Sequence, residues 1–146
     1  MRGRAVFLTV QFCEKLSTVI FSTSLTPATV GTSLKALELL IQNPSILTKL
    51  QENTLRFIEG MKALGFEVKG TDHPCCPVMI RDDVLTWRVS DFLFHNGVLA
   101  SWIVAPVCSH GEQKLRIIIK ASHSMDDIEK LLALFKSAKE NILDQK

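Results

Sequence analysis

Residues 19–30 read VIFSTSLTPATV, an apolar run that ends in three hydroxyl side chains and a helix start. Pro27 suits the first position of a helix, because the N–H that proline lacks has no intrahelical partner there. Thr26 can accept a hydrogen bond from a first-turn amide. The sequence predicts an anion site where this helix N-terminus meets the three hydroxyls, with a Ser/Thr-rich turn that binds nothing as the alternative. The hydroxyls belong to Ser22, Thr23 and Ser24.

Composition places the chain among globular proteins of one domain. It has 146 residues, 47% hydrophobic and 22% charged, with a formal net charge of +2. This small charge, with no basic patch interleaved with aromatics, gives no reason to expect a nucleic-acid partner. No apolar run approaches the roughly 18 residues of a membrane span. Residues 5–10 are predicted as a first strand, because they are too short for a signal peptide and no small-residue cleavage site follows.

The hydrophobic periodicity predicts the order β-α-α-β-β-α-β-β-α, an α+β fold with an antiparallel or mixed sheet and helices on one face. Asn43 is expected to cap the second helix, with Pro44 at its first position. Leu85, Val89 and Phe92 are expected to face inward on the third. The predicted strands are 5–10, 66–69, 77–80, 98–104 and 115–119, and the helices are 27–42, 45–64, 84–95 and the segment after Ser124.

Arg116 interrupts the apolar strand Leu115–Ile119. A guanidinium in such a strand needs a carboxylate, a phosphate or solvent as its partner. One interpretation is bidentate binding of a substrate carboxylate. The other is an arginine on the solvent side of an alternating strand.

The cysteines and histidines predict neither a disulfide framework nor a metal site. Adjacent Cys75 and Cys76 do not suit a small disulfide-bonded domain, and no CxxC is present. His73 beside this pair is the one zinc-like feature, without a second ligand cluster. Such cysteine usage is typical of a reducing compartment.

Several segments, taken in order, resemble the α-oxoamine synthases, pyridoxal-phosphate (PLP) enzymes with the aspartate aminotransferase fold. FSTSLTPA is similar to the family's F-S-T-S-L-P-P-A, and HPCCPVM to the H-P-I-x-P-V-M of its glycine acetyltransferase branch. KLRI followed by ASHS is similar to the family's R-I-R-V…A-A-H-T. SLKALELL is similar to a helix of the family, and NGV to the entry to one of its strands. These segments are residues 21–28, 73–79, 114–117, 121–124, 33–40 and 96–98.

The resemblance implies the C-terminal portion of a fold type I PLP-dependent transferase that condenses a glycine-like amino acid with an acyl-CoA. Residues 1–26 would end the large domain, and residues 27–146 would form the small domain with its leading helices. Ser22, Thr23 and Ser24 would bind the cofactor phosphate of a partner subunit in a dimer. Arg116 would bind the substrate's α-carboxylate.

The chain also departs from the family pattern. It has no counterpart of the Schiff-base lysine, of the aspartate that pairs with the pyridinium nitrogen, or of the histidine that stacks on the ring. Thr26 replaces the first proline of L-P-P, and residues 106–111 differ from the usual P-x-V-P-x-G loop. The resemblance therefore predicts no catalytic residue in this chain and no activity by the chain alone.

Two alternatives remain at this level. The chain could be a non-catalytic partner that docks on a full-length homologue, or an unrelated α+β binding module. Its location is open between the cytoplasm and the mitochondrial matrix, because any targeting segment would lie upstream.

Overall fold

The computed structural model describes residues 25–70 and 73–144. The chain divides into two compact units, residues 1–43 and residues 44–146. The predicted strand at 5–10 and the hydroxyls of Ser22, Thr23 and Ser24 lie outside the described residues. The domain boundary expected after residue 26 stays a prediction.

The first unit contributes helix α1, Pro27–Gln42, over the predicted residues. Thr26 caps it as expected, since its Oγ1 accepts a hydrogen bond from the Thr29 amide at 3.4 Å. No side chain of α1 is buried. Its apolar face, which includes Leu34, Leu37 and Ile41, is therefore open to solvent.

The second unit is built on a four-stranded antiparallel sheet of order β1-β2-β4-β3. Its strands are β1 Glu67–Val68, β2 Cys75–Met79, β3 Ser101–Ile103 and β4 Lys114–Ile118. Strand β2 begins two residues before the predicted position, because Cys75 and Cys76 pair with Ile118 and Ile117. Strand β3 is much shorter than predicted. It pairs with β4 from Ser101, opposite Arg116, to Ile103, opposite Lys114.

Three helices pack on one face of this sheet and enclose the core. They are α2 Ser45–Ala63, α3 Asp83–His95 and α4 Met125–Ala138, and a π-helical turn, Lys139–Leu143, follows. The core joins apolar side chains of all three helices to the inward side chains of β2 and β4. Its fully buried members include Phe57, Met61, Val78, Val89, Leu93, Leu115, Ile128 and Phe135. The predicted α+β layer is confirmed.

One detail of the helix predictions was wrong, and a second was incomplete. Asn43 does not cap α2; it ends α1, where its Nδ2 donates to the Leu39 carbonyl, and Pro44 occupies the N-cap of α2. The buried face of α3 includes polar residues that the apolar pattern passed over. Ser90 Oγ donates to the Ala100 carbonyl, so its burial leaves no unpaired hydroxyl.

Helix α2 packs closely against α4 at Gly60. A Cβ added to Gly60 would lie 2.4 Å and 2.7 Å from the two Cδ atoms of Leu132 and 3.1 Å from its Cγ. Leu132 is itself buried in the core, so it has little room to move away.

We expect Gly60→Ala to lower the free energy of unfolding by about 1–2 kcal/mol, because overpacking outweighs the gain in helix propensity. Thermal and urea unfolding would measure this loss. Gly31→Ala in α1 is the matched control, because nothing lies within 4 Å of a Cβ there. Equal stability of the Gly60→Ala variant and the parent would show that the two helices separate easily.

None of the helices in residues 25–70 and 73–144 is both long enough and apolar enough to span a bilayer.

Candidate functional site

Arg116 lies in the middle of the sheet, on the face that the helices leave uncovered. Its neighbours across the strands are Pro77 on β2 and Ser101 on β3. The adjacent Leu115 and Ile117 point to the opposite face and are buried, whereas Arg116 is exposed. Pairing on both sides fixes the backbone at Arg116, so the strand presents its guanidinium from a rigid base.

The guanidinium of Arg116 makes no hydrogen bond and no ion pair with any described residue. Two other arginines contrast with it. Arg56 Nε lies 2.6 Å from Glu129 Oε1, and Arg81 Nη2 lies 2.5 Å from Glu67 Oε2. Of the arginines in the described ranges, Arg88 on α3 shares this unpaired state, but it stands on the outer surface of a helix. Within residues 25–70 and 73–144, none of the five N–H donors of Arg116 has a partner, and such an arrangement suits an external anion.

A cavity of about 680 Å³ lies beside Arg116, between the end of β4, the loop 96–99 and α4. The charged residues of its lining are mainly basic: Arg116, Lys120 and Lys130 stand against the single carboxylate of Asp127. Apolar side chains, Leu99 and Ile118 among them, complete the wall. The size is that of a small-molecule site, and the charge favours an anionic ligand.

Buried Asn53 on α2 holds the chain that leaves β4. Its Nδ2 donates to the carbonyls of Lys120 and His123 at 3.2 Å and 3.0 Å. The Lys120 amide also donates a hydrogen bond to His123 Nδ1, at 3.3 Å. His123 thus shapes the turn after β4. Asn53 was not predicted as a structural residue. A lone amide inside the apolar stripe of α2 indicates a buried polar contact, but it does not identify the distant partner.

Asp127 closes a capping box with Ser124 at the start of α4. Its carboxylate accepts hydrogen bonds from the Ser124 amide and hydroxyl at 2.9 Å and 2.8 Å. These bonds lower the pKa of Asp127 below its ordinary value, the backbone bond contributing most.

Because this pKa is lower in the folded than in the unfolded state, the ionised carboxylate stabilises the fold above its ordinary pKa near 4. We expect that contribution to disappear as the pH falls through the folded pKa. Asp127→Asn should therefore lower Tm at pH 7, and the difference from the parent should shrink towards pH 2. Thermal unfolding across this range measures it, and a difference that does not change with pH would contradict the assignment.

The N-terminus of α1 was predicted as part of an anion site, and the structure describes this helix from its N-cap, Thr26, onward. The first turn of α1 carries no acidic side chain. Its Pro27 lacks an N–H and its Thr29 amide donates to Thr26 Oγ1, and the Ala28 amide has no acceptor in the part of the chain that the structure describes. Ser22, Thr23 and Ser24, the main expected donors, lie outside the described residues, and their role stays a prediction.

His73 and the adjacent cysteines have structural roles. The Cys75 amide donates to His73 Nδ1 at 3.0 Å, which fixes the entry to β2. Burial raises the pKa of the Cys76 thiol to about 11, so it stays protonated and unreactive. Across the ranges 25–70 and 73–144, no three His, Cys, Asp or Glu side chains are grouped as metal ligands would be.

Residues 9–135 match the aminotransferase class I and II family. The chain is 39% identical over 116 residues to the mitochondrial 2-amino-3-ketobutyrate coenzyme A ligase of Mus musculus. The aligned residues cover 80% of this chain and 28% of that protein. It is 37% identical over 133 residues to the 8-amino-7-oxononanoate synthase of Bacillus pumilus, covering 90% of this chain and 34% of that protein.

The fold agrees with these matches. A serine palmitoyltransferase from S. paucimobilis, solved with bound PLP and myriocin, superposes with a TM-score of 0.77 at 25% identity. The overlap covers 86% of this chain and 32% of that one. The chain thus spans about a third of the length of its relatives, which confirms the expectation of a partial match. It belongs to the aminotransferase class I and II family, and the relatives that it matches are α-oxoamine synthases.

Proposed function

We propose that this chain forms the C-terminal portion of a PLP-dependent acyltransferase that condenses a glycine-like amino acid with an acyl-CoA. The observation that carries the proposal is Arg116, which lies at the centre of the uncovered sheet face and has no partner among the residues that the structure describes. Family membership removes the alternative of an unrelated binding module.

In this proposal Arg116 orients the amino-acid substrate. A guanidinium matches the two oxygens of a carboxylate with parallel N–H donors, which fixes direction as well as position. The rigid β4 backbone holds that fork in place, and Lys120 and Lys130 add positive charge at the cavity rim. The substrate's α-carbon is thereby held in one orientation while its carboxylate is neutralised.

The cofactor would be pyridoxal 5′-phosphate, which supplies an electron sink for carbanion chemistry when it is bound. Ser22, Thr23 and Ser24 would donate hydrogen bonds to its phosphate across a dimer interface, next to the α1 N-terminus. In this proposal the family's Schiff-base lysine has no counterpart among residues 1–146. We therefore propose that these residues act only together with a lysine-bearing large domain, in the same polypeptide or in a partner subunit.

A chimera tests this function. Residues 1–146 would replace the matching third of the mouse 2-amino-3-ketobutyrate coenzyme A ligase, and the free thiol released from acetyl-CoA would be measured with and without glycine. The proposal predicts glycine-dependent release of CoA thiol. A folded chimera that binds PLP but releases none would refute it.

Docking on a separate full-length homologue is the second candidate, which the exposed apolar face of α1 favours. Leu34, Leu37 and Ile41 are 57%, 56% and 80% exposed. Co-expression of the tagged chain with the mouse ligase separates the two candidates. Co-purification in a defined ratio supports the docking subunit, and a homodimer or no complex supports the catalytic portion of a single polypeptide.

A further inference from the structure

We propose that Ser101 is a second ligand for the anion that Arg116 binds, so that a carboxylate meets a guanidinium and a hydroxyl on two neighbouring strands. This inference rests on the proposed function and adds a substrate-binding residue to it. The resemblance to the family gives Ser101 no role.

The register of the sheet places the two side chains together. Ser101 is the direct partner of Arg116 across the β3–β4 pair. Directly paired residues of an antiparallel sheet project to the same face, with Cβ atoms about 4.5–5.5 Å apart. Both side chains are exposed on the uncovered face, and both line the cavity beside β4.

Ser101 is the cross-strand neighbour of Arg116 that offers a donor. Pro77, on the other side of Arg116, carries no polar side-chain group. The Ser101 hydroxyl forms no hydrogen bond with any residue in the described ranges, so it does not stabilise the local fold in the way that Ser90 does through the Ala100 carbonyl. In this proposal its O–H donates to an oxygen beside the guanidinium.

The chemistry of the pair suits a carboxylate. One oxygen can accept from the guanidinium alone, and the other from both the guanidinium and the hydroxyl. The hydroxyl makes the two oxygens inequivalent, so it selects one rotation of the carboxylate about its bond to the α-carbon. Its loss should weaken binding, while Arg116 keeps most of the affinity.

Side-chain NMR of the whole 146-residue chain tests the inference, with acetate as the probe and chloride keeping ionic strength constant. The Nε–H signal of Arg116 should shift saturably, whereas that of Arg88 should not. Ser101→Ala should weaken acetate binding about tenfold, the loss expected for one hydrogen bond to a charged group. The Ser101→Thr variant keeps a hydroxyl and should bind acetate with the affinity of the parent. Ser109 is an exposed serine outside the cavity lining, so Ser109→Ala should also bind acetate as the parent does.

The outcomes separate this inference from the proposed function. If Ser101→Ala binds acetate as the parent does while Arg116 still responds, the role of Ser101 is refuted and that of Arg116 stands. If acetate leaves the Arg116 signal of the parent unshifted, both are refuted.

Discussion

Replacing Arg116 by alanine in the chimera is expected to lower kcat/KM for glycine at least about a hundredfold, mostly through a higher KM. The substrate carboxylate would lose its bidentate partner, and the described strands carry no other arginine to replace it. Lys120 and Lys130 would supply only point charges at the cavity rim. Thiol release from acetyl-CoA over a range of glycine concentrations gives the two constants.

Two variants control this experiment. Arg116→Lys keeps the charge and loses the planar fork, so it should recover only part of the activity. Arg88→Ala removes an equally unpaired arginine from α3, outside the cavity lining, and should leave KM for glycine unchanged. Equal effects of Arg88→Ala and Arg116→Ala would show that the loss reflects general surface charge and would contradict the role given to Arg116.

Asn53→Asp is expected to cost about 3 kcal/mol of stability at pH 7, the largest folding effect among the changes considered. Asn53 is 2% exposed and donates to two carbonyls. A carboxylate of the same shape would offer those carbonyls no proton and would be buried as an unpaired charge. The loss should lessen at low pH, where a protonated aspartate can donate one hydrogen bond.

Asn96→Asp is the matched control for this variant. Asn96 also donates its amide to a carbonyl, that of Phe92 at 2.8 Å, but it is exposed at the end of α3. Solvent should limit its effect to a few tenths of a kcal/mol. Urea unfolding at pH 7 and pH 4 measures both variants. Equal stability of Asn53→Asp and the parent would mean that Asn53 does not hold the loop after β4.

The sequence was most informative where local chemistry decides local structure. Thr26 and Pro27 begin α1, and Ser124 with Asp127 begins α4, because capping depends on side chains within three residues. The left-handed glycine Gly65 ends α2 for the same local reason.

Features that depend on distant contacts were harder to predict. The burial of Ser90 requires the carbonyl of Ala100, and the role of Asn53 requires the turn after β4, neither of which leaves a periodic signal. Strand β3 was predicted too long because the mainly apolar residues 98–104 suit a strand. In the structure, only Ser101–Ile103 pair with β4.

The candidate site was predicted in part. The exposed position of Arg116 follows from alternation along β4. Carboxylate binding was one of two interpretations of an arginine in this strand and was also implied by the resemblance to the family; it stays a prediction. The sequence alone does not show that Arg81 pairs with Glu67 whereas no described carboxylate pairs with Arg116; these contacts depend on the fold. Its pairing with Ser101 depends on strand register, which short apolar strands do not specify by themselves.

A crystal structure of the chimera with bound glycine would test the central claim most directly. The account predicts both carboxylate oxygens of glycine at hydrogen-bond distance, about 2.7–3.2 Å, from the guanidinium nitrogens of Arg116. Glycine held by other groups, with Arg116 paired to a carboxylate of the protein, would contradict it.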